Sequence, residues 1–187
     1  MSIQKKIDNG LIQIYYGNGK GKTTAALGTS IRGLGHGKKI HWIQYMKAGI
    51  NQGKTYETTG EISMLMKHKG FSIERYGSGE WAQNSIEETK KEFRKGIDAI
   101  EKIKEKNCDI LVLDEILYGW QMELITEDEI IQKIKELQKI KPQMEIILTG
   151  SHNAPEKIIK IADLTTEIKK IKHPYDKGIK ARKGIEF

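Results

Sequence analysis

The chain has 187 residues, 37% of them hydrophobic and 30% charged, with a mean hydropathy of −0.55; that suits one soluble α/β domain over residues 1–187 with a full core. No run approaches the roughly 18 apolar residues of a membrane span, residues 1–10 lack the apolar region of a signal peptide, and the lone Cys108 excludes an intramolecular disulfide and a cysteine zinc cluster, so the expectation is a cytoplasmic protein. The net charge of +7 admits a nucleic-acid partner, yet lysines interleave with glutamates over 87–106 and 133–141, as on solvated helix faces, and a polyanionic small substrate suits the same charge.

The first predicted element is a strand, Leu11-Ile12-Gln13-Ile14-Tyr15, and a helix follows over 25–34. Between them lies Tyr16-Gly17-Asn18-Gly19-Lys20-Gly21-Lys22-Thr23-Thr24. Strand, glycine-rich loop and helix is the layout of a phosphate-binding P-loop. Glycines let successive N–H groups turn toward an anion, and the helix N-terminus adds positive dipole. In that reading Lys22 places charge on the phosphates and the Thr23 hydroxyl ligates Mg²⁺ beside them. The usual glycine five residues before Gly21 is Tyr16 here, so the loop reads as a shortened one. An ordinary glycine-rich turn with a cationic helix start is the plain alternative.

Gly33, Gly35 and Gly37 mark the end of the helix. Ile40-His41-Trp42-Ile43-Gln44-Tyr45 reads as the second strand, residues 47–64 as a loop or partly helical excursion, and Phe71-Ser72-Ile73-Glu74-Arg75-Tyr76 as a half-exposed strand. A loop, Gly77-Ser78-Gly79-Glu80-Trp81, follows. The spacing of Ile86, Phe93, Ile97, Ile100 and Ile103 predicts a helix over 85–106. Ile110-Leu111-Val112-Leu113 reads as a strand buried on both faces and ends in Asp114-Glu115. Thr126 and Glu129 form a capping box for a helix whose core face is Ile130, Ile134 and Leu137. Pro142 stops that helix, Ile146-Ile147-Leu148-Thr149 is another buried strand, Pro155 starts a short helix, and residues 164–168 form a last strand before a basic tail. Met64, Met66 and Met122, with Tyr45 and Trp120, read as packing residues, and His36 and His68 as surface turn residues.

Alternating strands and helices predict a mostly parallel sheet covered on both faces, a three-layer α/β/α arrangement of the P-loop, RecA-like kind. Ligands gather at the carboxyl ends of such strands. The P-loop, Gln44 and its neighbours, residues 77–81, Asp114-Glu115 and Thr149-Gly150 all fall there. Asp114 is placed to hold Mg²⁺, directly or through water. Glu115 suits either polarising a water or accepting hydrogen bonds from a ribose; an acid favoured by a helix dipole is the alternative for both. The tail, residues 173–186, reads either as a frayed basic terminus or as a cationic lip over an anionic ligand.

Together, residues 16–26, Gly35-His36-Gly37-Lys38, Ile43 to Lys47, Val112 to Glu115, Leu148-Thr149-Gly150, Ile161-Ala162-Asp163 and Lys172 through Phe187 resemble the ATP:corrinoid adenosyltransferases of the cobalamin pathway. The likeness spans nearly the whole chain, and the family's P-loop is short in the same way. It implies an enzyme whose Co(I) corrinoid substrate attacks C5′ of ATP, releasing triphosphate, with ATP lying reversed in the loop. It implies ATP binding by Gly17, Asn18, Gly19, Lys20, Gly21, Lys22, Thr23, Thr24, Arg32 and Glu115. Lys22 and Glu115 are the catalytic assignments, Thr23 and Asp114 the residues for Mg²⁺ or Mn²⁺, and Trp81 the corrinoid contact. A flavoprotein reductant and a homodimer are implied by the family, and no nucleic-acid or membrane partner. A RecA-like ATPase acting on nucleic acid is the alternative. The sequence departs from the family in three places. The segment Gly77-Ser78-Gly79-Glu80-Trp81 has no phenylalanine and its tryptophan is shifted by one, the arginine usual after Thr149-Gly150 is absent while Ser151-His152 adds one residue before Asn153, and the segment before the first strand is shorter than the arm with which some members cover the site.

Overall fold

A computed structural model describes residues 9–46, 59–77 and 86–186. The elements in chain order are β1 (Ile12–Tyr16), α1 (Lys22–Gly35), β2 (Ile40–Tyr45), α2 (Gly60–Leu65), β3 (Phe71–Tyr76), α3 (Ile86–Glu101), β4 (Ile110–Asp114), α4 (Ile116–Gln121), α5 (Glu127–Ile140), β5 (Glu145–Thr149), α6 (Glu156–Ile161) and β6 (Leu164–Glu167). The six strands form one all-parallel sheet in the order β3-β2-β4-β5-β1-β6.

Side-chain alternation along the strands builds two cores. On one face Ile40, Trp42, Val112 and Ile147 pack with Ala26, Leu27 and Leu34 of α1 and with Ile62 and Leu65 of α2. On the other, Ile43, Tyr45, Leu111, Leu113, Ile146 and Leu148 pack with Phe93, Ile97 and Ile100 of α3 and with Ile130, Ile134 and Leu137 of α5. The three-layer parallel arrangement is therefore the one expected, and the runs Ile110–Leu113 of β4 and Ile146–Leu148 of β5 are apolar because helices cover both their faces. β5 lies between β1 and β4, so the carboxyl end of β5 separates the loop after β1 from the acid that ends β4. Helix α1 crosses the sheet against β1, β2, β4 and β5, which brings its N-terminus over that point.

Several boundaries differ from the expected ones. α1 begins at Lys22 rather than Ala25, directly after Gly21. The predicted helix over 85–106 stops at Glu101 and tightens into a 3-10 turn, Lys102–Glu105. α4 is an additional helix, docked through Gly119, where a Cβ would lie 2.0 Å from Phe93 Cζ. Met64, Met66 and Met122 are exposed, which corrects their reading as packing residues; α2 is only one and a half turns long and buries Ile62 and Leu65 instead. Tyr45 is buried, Trp120 packs against the larger core, and Cys108 is buried, as expected.

A polar cluster is built across β2 and β3. His41 is 1% exposed. Its Nδ1 lies 2.7 Å from Ser72 Oγ, and its Nε2 lies 3.3 Å from both Glu74 Oε1 and Lys106 Nζ. Lys106 donates to Glu74 Oε1 at 2.5 Å, and the Tyr76 hydroxyl to Glu74 Oε2 at 2.6 Å. Burial, seconded by the Lys106 charge, pushes His41 down to about 4. Burial alone would raise Glu74, but the hydrogen bonds from Lys106 and Tyr76 outweigh it and hold the carboxyl below its usual range.

The sign for His41 follows from linkage. Between pH 6.5 and about 4 the unfolded imidazole binds a proton that the folded one refuses, so stability falls as pH falls across that window. At about 1.4 kcal/mol per pH unit the loss reaches roughly 3 kcal/mol. Denaturant unfolding of the wild type and His41→Asn from pH 7 to pH 4 should show the wild type losing on the order of 2–3 kcal/mol more than the variant; parallel curves would refute it.

Candidate active site

The loop after β1 is built in two halves. Its first half is fastened to the rest of the chain. Gly17 has φ 115° and a Cβ there would lie 2.4 Å from Ile168 O, so only glycine fits. The Gly17 N–H donates to Ser151 O at 3.0 Å and the Gly19 N–H to Ile168 O at 2.7 Å. Asn18 Oδ1 accepts the Lys170 N–H at 2.8 Å. The second half, Gly19 through Thr24, borders a cavity of about 560 Å³. Gly21, at φ 125°, turns the chain into α1, whose first turn holds no acidic residue and whose N-cap makes no side-chain hydrogen bond. The amide N–H groups of a 14-residue helix thus open on the cavity without a capping side chain, the arrangement that favours an anion.

Lys22 is 9% exposed and donates to Gly17 O at 2.7 Å and Gly19 O at 3.0 Å. Its Nζ lies 5.9 Å from the centroid of the Tyr118 ring. Burial lowers its pKa, and the charges of Glu115 and Asp114 act against that shift. The ammonium is thus held in the loop on carbonyl oxygens, which are weaker partners than phosphate.

Asp114 is fully buried and collects three side-chain donors. Thr23 Oγ1 reaches Oδ1 at 3.0 Å, Thr149 Oγ1 the same oxygen at 2.6 Å, and Gln44 Nε2 reaches Oδ2 at 2.8 Å. Glu115 stands at φ 66°, a left-handed position that is uncommon for a non-glycine residue and turns β4 into α4. The Glu115 N–H donates to Thr149 Oγ1 at 3.0 Å, and the residue lines the cavity. Gln44 and, at the start of α2, Thr59 and Glu61 line it too, as do Gly184, Ile185 and Glu186 of the tail.

The tail therefore reaches the site, and the residue it brings to the wall is acidic. Lys20 Nζ donates to Glu186 Oε1 at 3.0 Å and to Ile185 O at 3.3 Å, and Arg182 chelates the same carboxylate. Those hydrogen bonds, Arg182's first, hold Glu186 down to about 2. Neither the frayed terminus nor the cationic lip describes this strap.

Of the expected nucleotide contacts, Gly19, Lys20, Gly21, Lys22, Thr23, Thr24 and Glu115 converge on the cavity. Gly17 and Asn18 support the loop from behind. Arg32 sits exposed in the last turn of α1, roughly 15 Å along the axis from Lys22, and does not line the cavity. Trp81 lies outside the described residues. Sequence reasoning missed Thr149 and Gln44 as ligands of Asp114, although each is a polar residue near the end of an apolar strand. It also missed Tyr118, which lies under Lys22 and shares a 2.6 Å hydrogen bond with His152 Nε2. Among the described residues no group of three or more His, Cys, Asp or Glu could cage a metal ion. The pairing of Thr23 with Asp114 fits a cation such as Mg²⁺, which takes one or two protein oxygens and keeps phosphates and water as its other ligands.

A parallel sheet, a glycine-rich loop opening a helix N-terminus, and a buried acid two strands away define a P-loop nucleotide-binding domain. The family model described as ATP:corrinoid adenosyltransferase BtuR/CobO/CobP matches residues 8–187, and the chain belongs to that family of enzymes. It is 35% identical to a corrinoid adenosyltransferase of Sinorhizobium sp., over 98% of this chain and 83% of that one. It is 30% identical to a corrinoid adenosyltransferase of Escherichia coli strain K12, over 98% and 89%. Corrinoid adenosyltransferase CobA of Salmonella typhimurium is 29% identical over the same shares. No helix among the described residues is long and apolar enough to cross a membrane.

Removing the shared acceptor should be costly, because two buried donors, Gln44 and Thr149, and the half-buried Thr23 lose their partner together. Asp114→Ala is expected to lower unfolding stability by on the order of 3 kcal/mol, and Asp114→Asn, which keeps one acceptor oxygen, by less. Urea denaturation at neutral pH checks the size and the order of the two.

Proposed function

We propose that the cavity binds ATP with its triphosphate along residues 19–24, and that the enzyme transfers the 5′-deoxyadenosyl group to the Co(I) centre of a corrinoid. The cobalt electron pair attacks C5′. The cobalt–carbon bond forms, the C5′–O bond breaks, and the triphosphate leaves with that bonding pair while Co(I) becomes formally Co(III). Membership in the adenosyltransferase family supports the reaction. The observation that carries the site assignment is the convergence of the uncapped α1 N-terminus, buried Lys22 and the Thr23–Asp114 pair on one cavity.

The chemistry needs no general base, since Co(I) has no proton to lose. The chain's work is to position C5′ and to stabilise charge on the leaving triphosphate. Lys22 exchanges Gly17 O and Gly19 O for phosphate oxygens, and Lys20 exchanges Glu186. Glu115 accepts a hydrogen bond from a ribose hydroxyl, a role that suits a carboxylate beside the loop when no water is to be activated. ATP lies reversed, with C5′ toward the corrinoid, and Trp81 approaches the corrin. Thr23 and Asp114 hold Mg²⁺ or Mn²⁺, which when bound supplies further positive charge to the leaving group. We further propose, from the family resemblance, a flavoprotein reductant and a homodimer, and, from length and composition, a cytoplasmic location and a single domain over residues 1–187. Arg32 is assigned no contact.

The nucleic-acid ATPase is the weaker reading. Membership in the adenosyltransferase family speaks against it.

Chemically reduced corrinoid incubated with Mg-ATP should give an adenosylated product, seen as a shift in the corrinoid visible spectrum, together with triphosphate. Release of ADP and phosphate, stimulated by DNA or RNA, would overturn the reading. Lys22→Ala should lower kcat/KM by about 10²–10³-fold; near-wild-type turnover would remove Lys22 from the mechanism.

A further inference from the structure

Gln44 is a polar residue near the end of an otherwise largely apolar strand, only 3% exposed, in register with Asp114 on β4 and bordering the cavity. Its amide orientation is fixed by its partner. Nε2 lies 2.8 Å from Asp114 Oδ2, and turning the amide over would press two acceptor oxygens together, so the NH₂ end faces the carboxylate. Oε1 is then committed to the other side, and there it has no hydrogen-bond partner among the described residues. Arg75, its register neighbour on β3, carries donors but does not reach it. A leucine would fill the same strand position without leaving a buried acceptor unpaired. An unpaired buried acceptor beside a ligand cavity is a group that a ligand completes.

The ligand must bring a donor. The triphosphate has none at neutral pH, and the Thr23 hydroxyl already gives its proton to Asp114. Thr23 and Gln44 hold the two oxygens of one carboxylate, at 3.0 and 2.8 Å, and both line the cavity, so Gln44 stands one carboxylate away from the hydroxyl that would share a cation with the phosphates. Mg²⁺ keeps several waters when it binds, and their protons are polarised into strong donors. Resting on the ATP reading above, we infer that Gln44 is a positioning residue: its Oε1 accepts a hydrogen bond from the hydration shell of the divalent cation that enters with the triphosphate, while its Nε2 braces Asp114.

Titration calorimetry of the full chain with tripolyphosphate, which has no ribose or base, tests this in excess Mg²⁺ and in EDTA. Gln44→Leu should bind about tenfold more weakly in Mg²⁺ and within about twofold of wild type in EDTA. Thr149→Val strips a different donor from Asp114 and leaves Oε1 in place, so it should keep the gain that Mg²⁺ brings to wild type. Equal losses in Mg²⁺ and EDTA would overturn the inference. So would the same loss in Thr149→Val, which would reduce Gln44 to a brace for Asp114. A loss seen with Mg-ATP but not with Mg-tripolyphosphate would make ribose or adenine the donor and overturn it equally. If wild type gains nothing from Mg²⁺, the cation assignment itself falls, whereas a gain preserved in Gln44→Leu removes only the role of Gln44.

Discussion

The carboxylate of Asp114 is the point on which the site depends. It is fully buried, and a charge so placed persists only if hydrogen bonds replace its lost hydration. Those bonds come from three directions: Thr23 at the start of α1, Gln44 on β2 and Thr149 at the end of β5. One side chain therefore ties the start of α1 to β2 and to the end of β5. Low local dielectric strengthens each bond and makes each omission costly. Thr149 links the set to the next residue, because its hydroxyl oxygen also accepts the N–H of Glu115. The left-handed turn at Glu115 is held in place by the same network.

Strand order explains why such distant residues meet. β5 separates β1 from β4, and α1 must cross that gap to reach β2. The crossing lays the helix N-terminus over the end of β5, midway between the loop and the acid. On the proposed reading, binding energy for a triphosphate comes from groups already fixed in the fold: helix amides, one buried ammonium and a hydroxyl. That suits a reaction in which the leaving group departs whole and little beyond positioning is asked of the protein. The overall +7 charge is not concentrated at the cavity, where Lys20 is paired with Glu186 and Lys22 with loop carbonyls.

Most of the sheet was legible in the sequence because burial on both faces leaves an unbroken apolar run. Ile110 to Leu113 and Ile146 to Leu148 are such runs, and β2 and β3 lie at their expected residues. Thr126 and Glu129 were legible because a capping box is a local structure with its own spacing. α4 was not, since six residues carrying a glycine give no helical period, and that glycine answers to Phe93 on a distant element. The phosphate loop was readable as a motif, but not its division of labour. Nothing local tells that the Gly17 and Gly19 amides are spent on Ser151 and Ile168, or that Asn18 serves Lys170. Gln44 and Thr149 stood at recognised strand ends, yet their shared partner is a matter of register. The tail's basic composition misled, because the one residue that matters at the wall is its glutamate.

The strap has a consequence for how the protein comes into being. Lys20 and Glu186 are 166 positions apart, and Asn18 and Lys170 are 152 apart. During synthesis the phosphate loop leaves the ribosome long before the segment that walls it. The nascent chain can lay down β1, α1 and β2 early, but it has no finished cavity until nearly the whole domain has been translated. Competence for the nucleotide is acquired at the end of folding, as a property of the completed domain rather than of its motif.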